Sequence, residues 1–143
     1  MNRRELLLTL GATAVTLTGV AGLEAAEHGA HRSSHADHCA RACADCLIEC
    51  SRHVGHCTER LAAGNKEYAS CLELCAGCVQ LCGVCVGTCY GPLAATVAEV
   101  CAKACDACAA ECAKFKDDAA MQQCGKTCHD CAKVCREFVR NRA

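Results

Sequence analysis

The sequence predicts an all-α protein: an antiparallel up-down-up-down four-helix bundle with a cysteine-lined core. Three observations carry this. Cysteine supplies 19 of the 143 residues, and its gaps within each segment are nearly all three or four. The run Cys71, Cys75, Cys78, Cys82, Cys85, Cys89 is a heptad pattern with sulfur where a bundle normally places leucine. The unit C-xxx-C-xx-C-xxx-C then occurs four times, with short turn-forming stretches between the copies. Four amphipathic helices of similar length with short connections pack as a bundle, and the packing brings all four sulfur stripes to one axis.

The chain opens on a targeting segment. Arg3-Arg4 precedes an apolar run from Leu6 to Leu23 that Gly11, Gly19 and Gly22 interrupt. This resembles a twin-arginine export signal, expected to span 1–26. It predicts export to the periplasm or to a place beside internal membranes. That pathway carries folded proteins, so a chain that folds first hides its thiols before it meets an oxidising compartment. Residues 27–33 read as a linker that, with the start of the bundle, carries His28, His31, His35 and His38 close together. These suit a metal-catching arm or an ordinary polar tail equally well.

The bundle is expected over 34–140. Ser34-His35-Ala36-Asp37 looks like the capping start of the first helix, whose stripe is Cys39, Cys43, Cys46, Cys50, His53 and Cys57. His53 takes the place of a cysteine in that stripe. Residues 58–64 read as a turn, with Asn65 as the cap of a second helix that holds Cys71 to Cys89 and ends near Tyr90. Gly91-Pro92 suits the end of one helix and the first turn of the next. The third helix carries Cys101, Cys105, Cys108 and Cys112. Asp117 or Asp118 is placed to cap the fourth, which carries Cys124, Cys128, Cys131 and Cys135 with Met121 and Phe138 extending the stripe. All 19 cysteines fall on helices. Leu72, Leu74, Val79, Leu81, Val84 and Val86 widen the apolar surface of the second helix, which favours a homo-oligomer.

Helical neighbours three or four apart have Cβ atoms roughly 5–6 Å apart, so two thiolates reach one ion between them. The narrow geometry of a disulfide fits such pairs poorly. Thiolate is soft and selects Cu(I), zinc or iron–sulfur clusters. A buried core cannot hold many uncompensated thiolates. A tetrahedral zinc–thiolate site keeps excess negative charge, whereas Cu(I) ions bridged by shared thiolates balance sulfur about one to one. This charge balance favours multiple Cu(I) ions per chain. Iron–sulfur ligation uses a different spacing on looped backbone. Nearly balanced charge, with a net value of -1, gives no reason to expect nucleic acid as a partner. No catalytic constellation is visible, and the chain reads as a binding protein, not an enzyme.

The four C-xxx-C-xx-C-xxx-C units over 34–140 resemble the bacterial copper storage proteins, and the twin-arginine start resembles their exported branch. The resemblance implies a four-helix bundle that holds many Cu(I) ions for a copper-dependent enzyme or a copper chaperone and that limits toxicity. It implies His and Met near the mouth. The end formed by His53, His56, Cys57, Cys71 and Met121 is expected to be that mouth, because imidazole and thioether both ligate copper. Tyr90, Pro92, Leu93, Val97, Phe138 and Val139 are expected to plug the other end. His129 is off the stripe and expected to face solvent. Two other readings stay open: a zinc or heavy-metal detoxifying thiolate protein, and a disulfide-stapled structural bundle.

Overall fold

The computed structural model describes residues 21–142, with side chains described from Ser34 onward. Arg3, Arg4 and most of the expected targeting segment lie outside the described residues, as do the side chains of His28 and His31. Four helices make the fold: α1 (Ala21–Ala62), α2 (Ala69–Thr88), α3 (Ala94–Cys112) and α4 (Ala119–Arg140). One 3-10 turn, Lys66–Tyr68, leads into α2. No strand occurs among the described residues.

The helices form a ring. Each packs on two neighbours, α1 and α3 both touching α2 and α4, and the backbones of diagonal partners stay apart. Cysteine makes this arrangement work. Its side chain is short, so sulfurs from diagonal helices meet at the axis: Cys46 of α1 lies 3.8 Å from Cys105 of α3, and Cys75 of α2 lies 3.9 Å from Cys124 of α4. Buried free cysteine behaves as a small hydrophobe, so the stripe can hold a bundle together with no metal bound.

The helix ends differ from expectation in instructive ways. α1 does not begin at Ser34; it runs back to Ala21, so Ser34 and the stretch 27–33 lie inside a helix and not in a cap and a linker. The segment is alanine- and glutamate-rich and free of proline, and such residues propagate a helix already nucleated downstream. At the other end α1 continues through 58–62, most of the expected turn at 58–64, and ends at Ala62 ahead of Gly64, whose φ of 95° is open to glycine at no steric cost. There Gly64 N–H donates to Leu61 O (2.9 Å) and Asn65 N–H to Arg60 O (3.0 Å), closing the helix end. Asn65 precedes the 3-10 turn but makes no side-chain capping bond. Pro92 lies in the α2–α3 turn, ahead of the first residue of α3. Asp118 caps α4 as expected, accepting from the N–H groups of Ala120 and Met121.

The plugged end follows the sequence pattern in part: Phe138 is buried and Val97 and Val139 pack partly against the core, but Tyr90 and Leu93 do not join them. Tyr90 and Leu93 are 62% and 63% exposed, because both sit in the connection and not on a helix face. The Tyr90 hydroxyl donates instead to the Asp37 carboxylate on α1. The seal comes from Ala36, Ala94, Ala98 and Phe138, all buried. Arg142 stacks on the Phe138 ring at 5.0 Å and donates to Gly91 O at 3.0 Å, tying the end of the chain to the α2–α3 turn.

Leu72, Leu74, Val79 and Val86 of α2 pack partly against the core, while Val84 stays half exposed. Lys66–Thr88 is long and apolar enough to cross a membrane by length and composition, with a mean hydropathy of 1.8. Its sulfur stripe is nonetheless one wall of the core.

Candidate metal centre

The heptad stripe fixes the site. On α2 the positions 71, 75, 78, 82, 85 and 89 return to one face because steps of four and three track the 3.6-residue turn. The other three helices repeat the pattern, and all 19 cysteines are buried free thiols. Along the axis the sulfurs form a nearly unbroken chain. Cys71 lies 3.7 Å from Cys112 and 3.9 Å from Cys75. Cys50 and Cys128 approach to 3.5 Å, and Cys46 lies 3.7 Å from Cys128. Farther along, Cys82 is 3.6 Å from Cys101, and Cys43 is 3.5 Å from Cys135. Cys39 joins the same end at 3.9 Å from Cys135.

These sulfurs gather into groups of four whose ligand atoms lie within 4.8 Å of one another. Cys39, Cys43, Cys85 and Cys135 form one, and Cys43, Cys101, Cys131 and Cys135 the next. Cys46, Cys82, Cys105 and Cys131 lie mid-bundle. Cys50 and Cys108 belong to two groups, one completed by Cys75 and Cys124 and the other by Cys78 and Cys128. The groups overlap, so one sulfur faces two positions where an ion could sit. Cys57 and Cys89 stand at the two ends of the stripe, both buried.

Electrostatics bear directly on cargo. The only buried polar or charged side chain among the described residues is His53, so no lysine or arginine sits in the core to neutralise thiolates. Without metal the thiols at the ends are held protonated. Burial pushes Cys57 and Cys89 up to about 12, and the Cys112 sulfur beside Cys71 does the same to it, to about 12. Mid-bundle, Cys128 and Cys131 are also raised, chiefly by Cys105 and Cys101 respectively, with burial adding to both. A thiol must lose its proton to ligate, so the ion displaces it.

The expected mouth is shut. His53 is 5% exposed, and both ring nitrogens face backbone carbonyls: Nδ1 donates to Glu49 O at 2.8 Å and Nε2 to Ala120 O at 2.6 Å. Two acceptors require two N–H donors, so the ring is an imidazolium. The neighbouring Cys124 sulfur and these carbonyls hold its pKa up to about 9 against the opposing effect of burial. His53 therefore sits in the ligand register with neither nitrogen free in this arrangement. Met121, Cys57 and Cys71 have no exposure at all.

Over them lies a polar clamp centred on Asp118, which the sequence identified only as a cap. Its Oδ2 pairs with His56 Nε2 at 2.8 Å and accepts from the Tyr68 hydroxyl at 2.9 Å, with Arg60 at 3.7 Å. Burial raises its pKa, but His56 and Tyr68 outweigh that and hold the carboxyl at about 2. Tyr68 stacks on Phe115 with ring centroids 4.4 Å apart, completing the cover. No sequence pattern links these residues, because Asp118 is 50 positions from Tyr68 and 62 from His56. His129 faces solvent as expected, with its Nδ1 3.6 Å from Asp130.

A family model of copper storage proteins matches residues 54–140, more than half of the chain. The chain belongs to the copper storage protein family. No curated protein shows a detectable match. The match begins within α1, after Cys39, Cys43, Cys46 and Cys50. Those four sulfurs share groups with Cys75, Cys105, Cys128 and Cys135, so this copper storage protein has one continuous core on both sides of the match boundary.

Proposed function

We propose that the bundle stores Cu(I), many ions per chain, on the thiolates of all four helices. The observation that carries this is the overlap of the four-sulfur groups in a core with no buried lysine or arginine. Shared sulfurs favour bridging ions, and a core without protein cations needs about one positive charge from metal for each thiolate. Cu(I) bridged by thiolates meets both conditions. Separate tetrahedral zinc sites would compete for Cys43, Cys50, Cys108, Cys131 and Cys135, each of which serves two groups.

The 19 cysteines are the ligands on this reading. Met121 and His53 join only at the clamped end, His53 after giving up a carbonyl. The stored copper serves a copper-dependent enzyme or a chaperone and is kept from uncontrolled reaction meanwhile. The resemblance of the start to a twin-arginine signal supports export to the periplasm or to a place beside internal membranes, and the half-exposed flank of α2 suits contact with a second copy. Titration of reduced, metal-free protein with zinc and with Cu(I), each against a chelator, tests the choice of metal. Cu(I) uptake far beyond zinc uptake supports the store; saturation with a few zinc ions and no further Cu(I) overturns it.

A further inference from the structure

The two ends of the bundle are closed by different chemistry. At one, Ala36, Ala94, Ala98 and Phe138 bury apolar surface, a gain that water cannot replace. At the other, the cover is a set of polar contacts to one carboxylate, which trade with water at small net cost. Each group of that cover stands beside a core group. Tyr68 precedes Cys71 by about one helical turn, Asp118 precedes Met121 by the same step, and His56 adjoins Cys57. Cys57, Cys71 and Met121 have no exposure.

The two oxygens of Asp118 have separate tasks. Oδ1 accepts from the N–H groups of Ala120 and Met121 and so caps α4. Oδ2 accepts from the Tyr68 hydroxyl and faces His56 and Arg60. The cover can therefore come apart at Oδ2 while the start of α4 stays formed. Its two sides are also held unequally. Phe115, on which Tyr68 stacks, belongs to the α3–α4 connection. The Gln122 amide pins that connection, donating to Cys112 O at 3.3 Å and to Phe115 O at 2.9 Å. Tyr68 belongs to the α1–α2 connection. From Ala62 to Ser70 it is the one buried residue, and Asn65 ahead of its 3-10 turn makes no side-chain capping bond. A Cβ at Gly64 would meet nothing within 4 Å, so the turn has room at its foot. A single ring and its hydroxyl fasten this short turn to the bundle.

We infer that residues 63–68 form a strap over this end of the core, with the Tyr68–Asp118 hydrogen bond as its latch. When the hydroxyl leaves Oδ2, the ring lifts from Phe115 and the turn pivots at Gly64. Cys57, Cys71 and Met121 then come within reach of solvent while the helices stay packed. The fraction of molecules with the strap open sets how fast a metal ion or a thiol reagent exchanges with this end. The sulfurs set the capacity, which the strap does not change.

The metal part of this rests on the storage reading, and the test separates the two. Reduced, metal-free protein is treated with iodoacetamide, and the labelling rate of each cysteine is followed by mass spectrometry in the parent, Y68F and Y90F. Y68F keeps the ring and removes only the hydroxyl. Y90F makes the same deletion at the apolar end, where Tyr90 donates to Asp37. Y68F labels Cys57 and Cys71 on the order of ten-fold faster, the population change expected on losing one hydrogen bond to a charged group. Cys128 at mid-bundle keeps the parent rate, and Y90F leaves Cys57 and Cys71 as in the parent. Parent rates at Cys57 and Cys71 in Y68F overturn the strap. An equal rise at Cys128, or the same rise in Y90F, also overturns it, because the whole bundle would then be loosening. In copper-loaded protein, Y68F passes Cu(I) to excess chelator faster by a similar factor with capacity unchanged; release at the parent rate overturns the control of metal exchange. Failure of every form to take up Cu(I), with Cys57 and Cys71 still opened by Y68F, contradicts storage and supports the strap.

Discussion

His53 spends both ring nitrogens on carbonyls, and that choice makes the metal-free protein sensitive to pH. Its pKa is raised to about 9 from 6.5. A group whose folded pKa is raised stabilises the fold fully below the unfolded value and loses that contribution as pH rises through the folded one. Unfolding by urea should therefore show stability falling between pH 6.5 and about 9, and H53Q should flatten this part of the profile. Parallel profiles for variant and parent would refute the imidazolium. Asp118 is the second residue on which much converges. D118A removes the α4 cap and the partners of His56 and Tyr68 together, and is expected to cost about 2–3 kcal/mol in the same measurement. Neither role was legible in the sequence beyond a register and a cap, because the partners that define each role come from distant segments of the chain.

At the scale of the helix, the heptad step dictates nearly everything that matters to the core. Every cysteine placed on a stripe is buried, since steps of four and three leave no other face for it. Boundaries were less legible. Ser34 has the local chemistry of a cap, yet the upstream residues are good helix formers and α1 runs through it to Ala21. Tyr90 and Leu93 are apolar but belong to a connection, where no helical face directs them inward. The glycines on α2 and α4 make a contrast that can be measured. A Cβ at Gly77 would meet nothing within 4 Å, so G77A should stabilise the protein by about 0.5–1 kcal/mol through the entropy of the unfolded chain. At Gly125 the added Cβ would meet Cys112 Cβ at 3.1 Å, where α3 and α4 pack closely. G125A should give no such gain, and a gain equal to that of G77A would show that the contact yields freely.

For the whole molecule, one design joins the parts: small buried thiols pack the bundle, and under the proposed function the same thiols hold cargo. With no buried lysine or arginine to balance thiolates, the empty core is held as neutral thiols, so loading must displace protons, about one per Cu(I) near neutral pH. Proton release followed by pH-stat should track metal uptake, and uptake without release would mean the thiols are not the ligands. Bound copper also favours the folded state over the unfolded one by mass action, so thermal unfolding should move upward as loading proceeds. The most direct test of the account is an anaerobic titration of the fully reduced chain with Cu(I) against a competing chelator. Charge neutrality in the core predicts uptake approaching one ion per cysteine, about 19 in all. Saturation at about four ions, as separate tetrahedral sites would give, would contradict it.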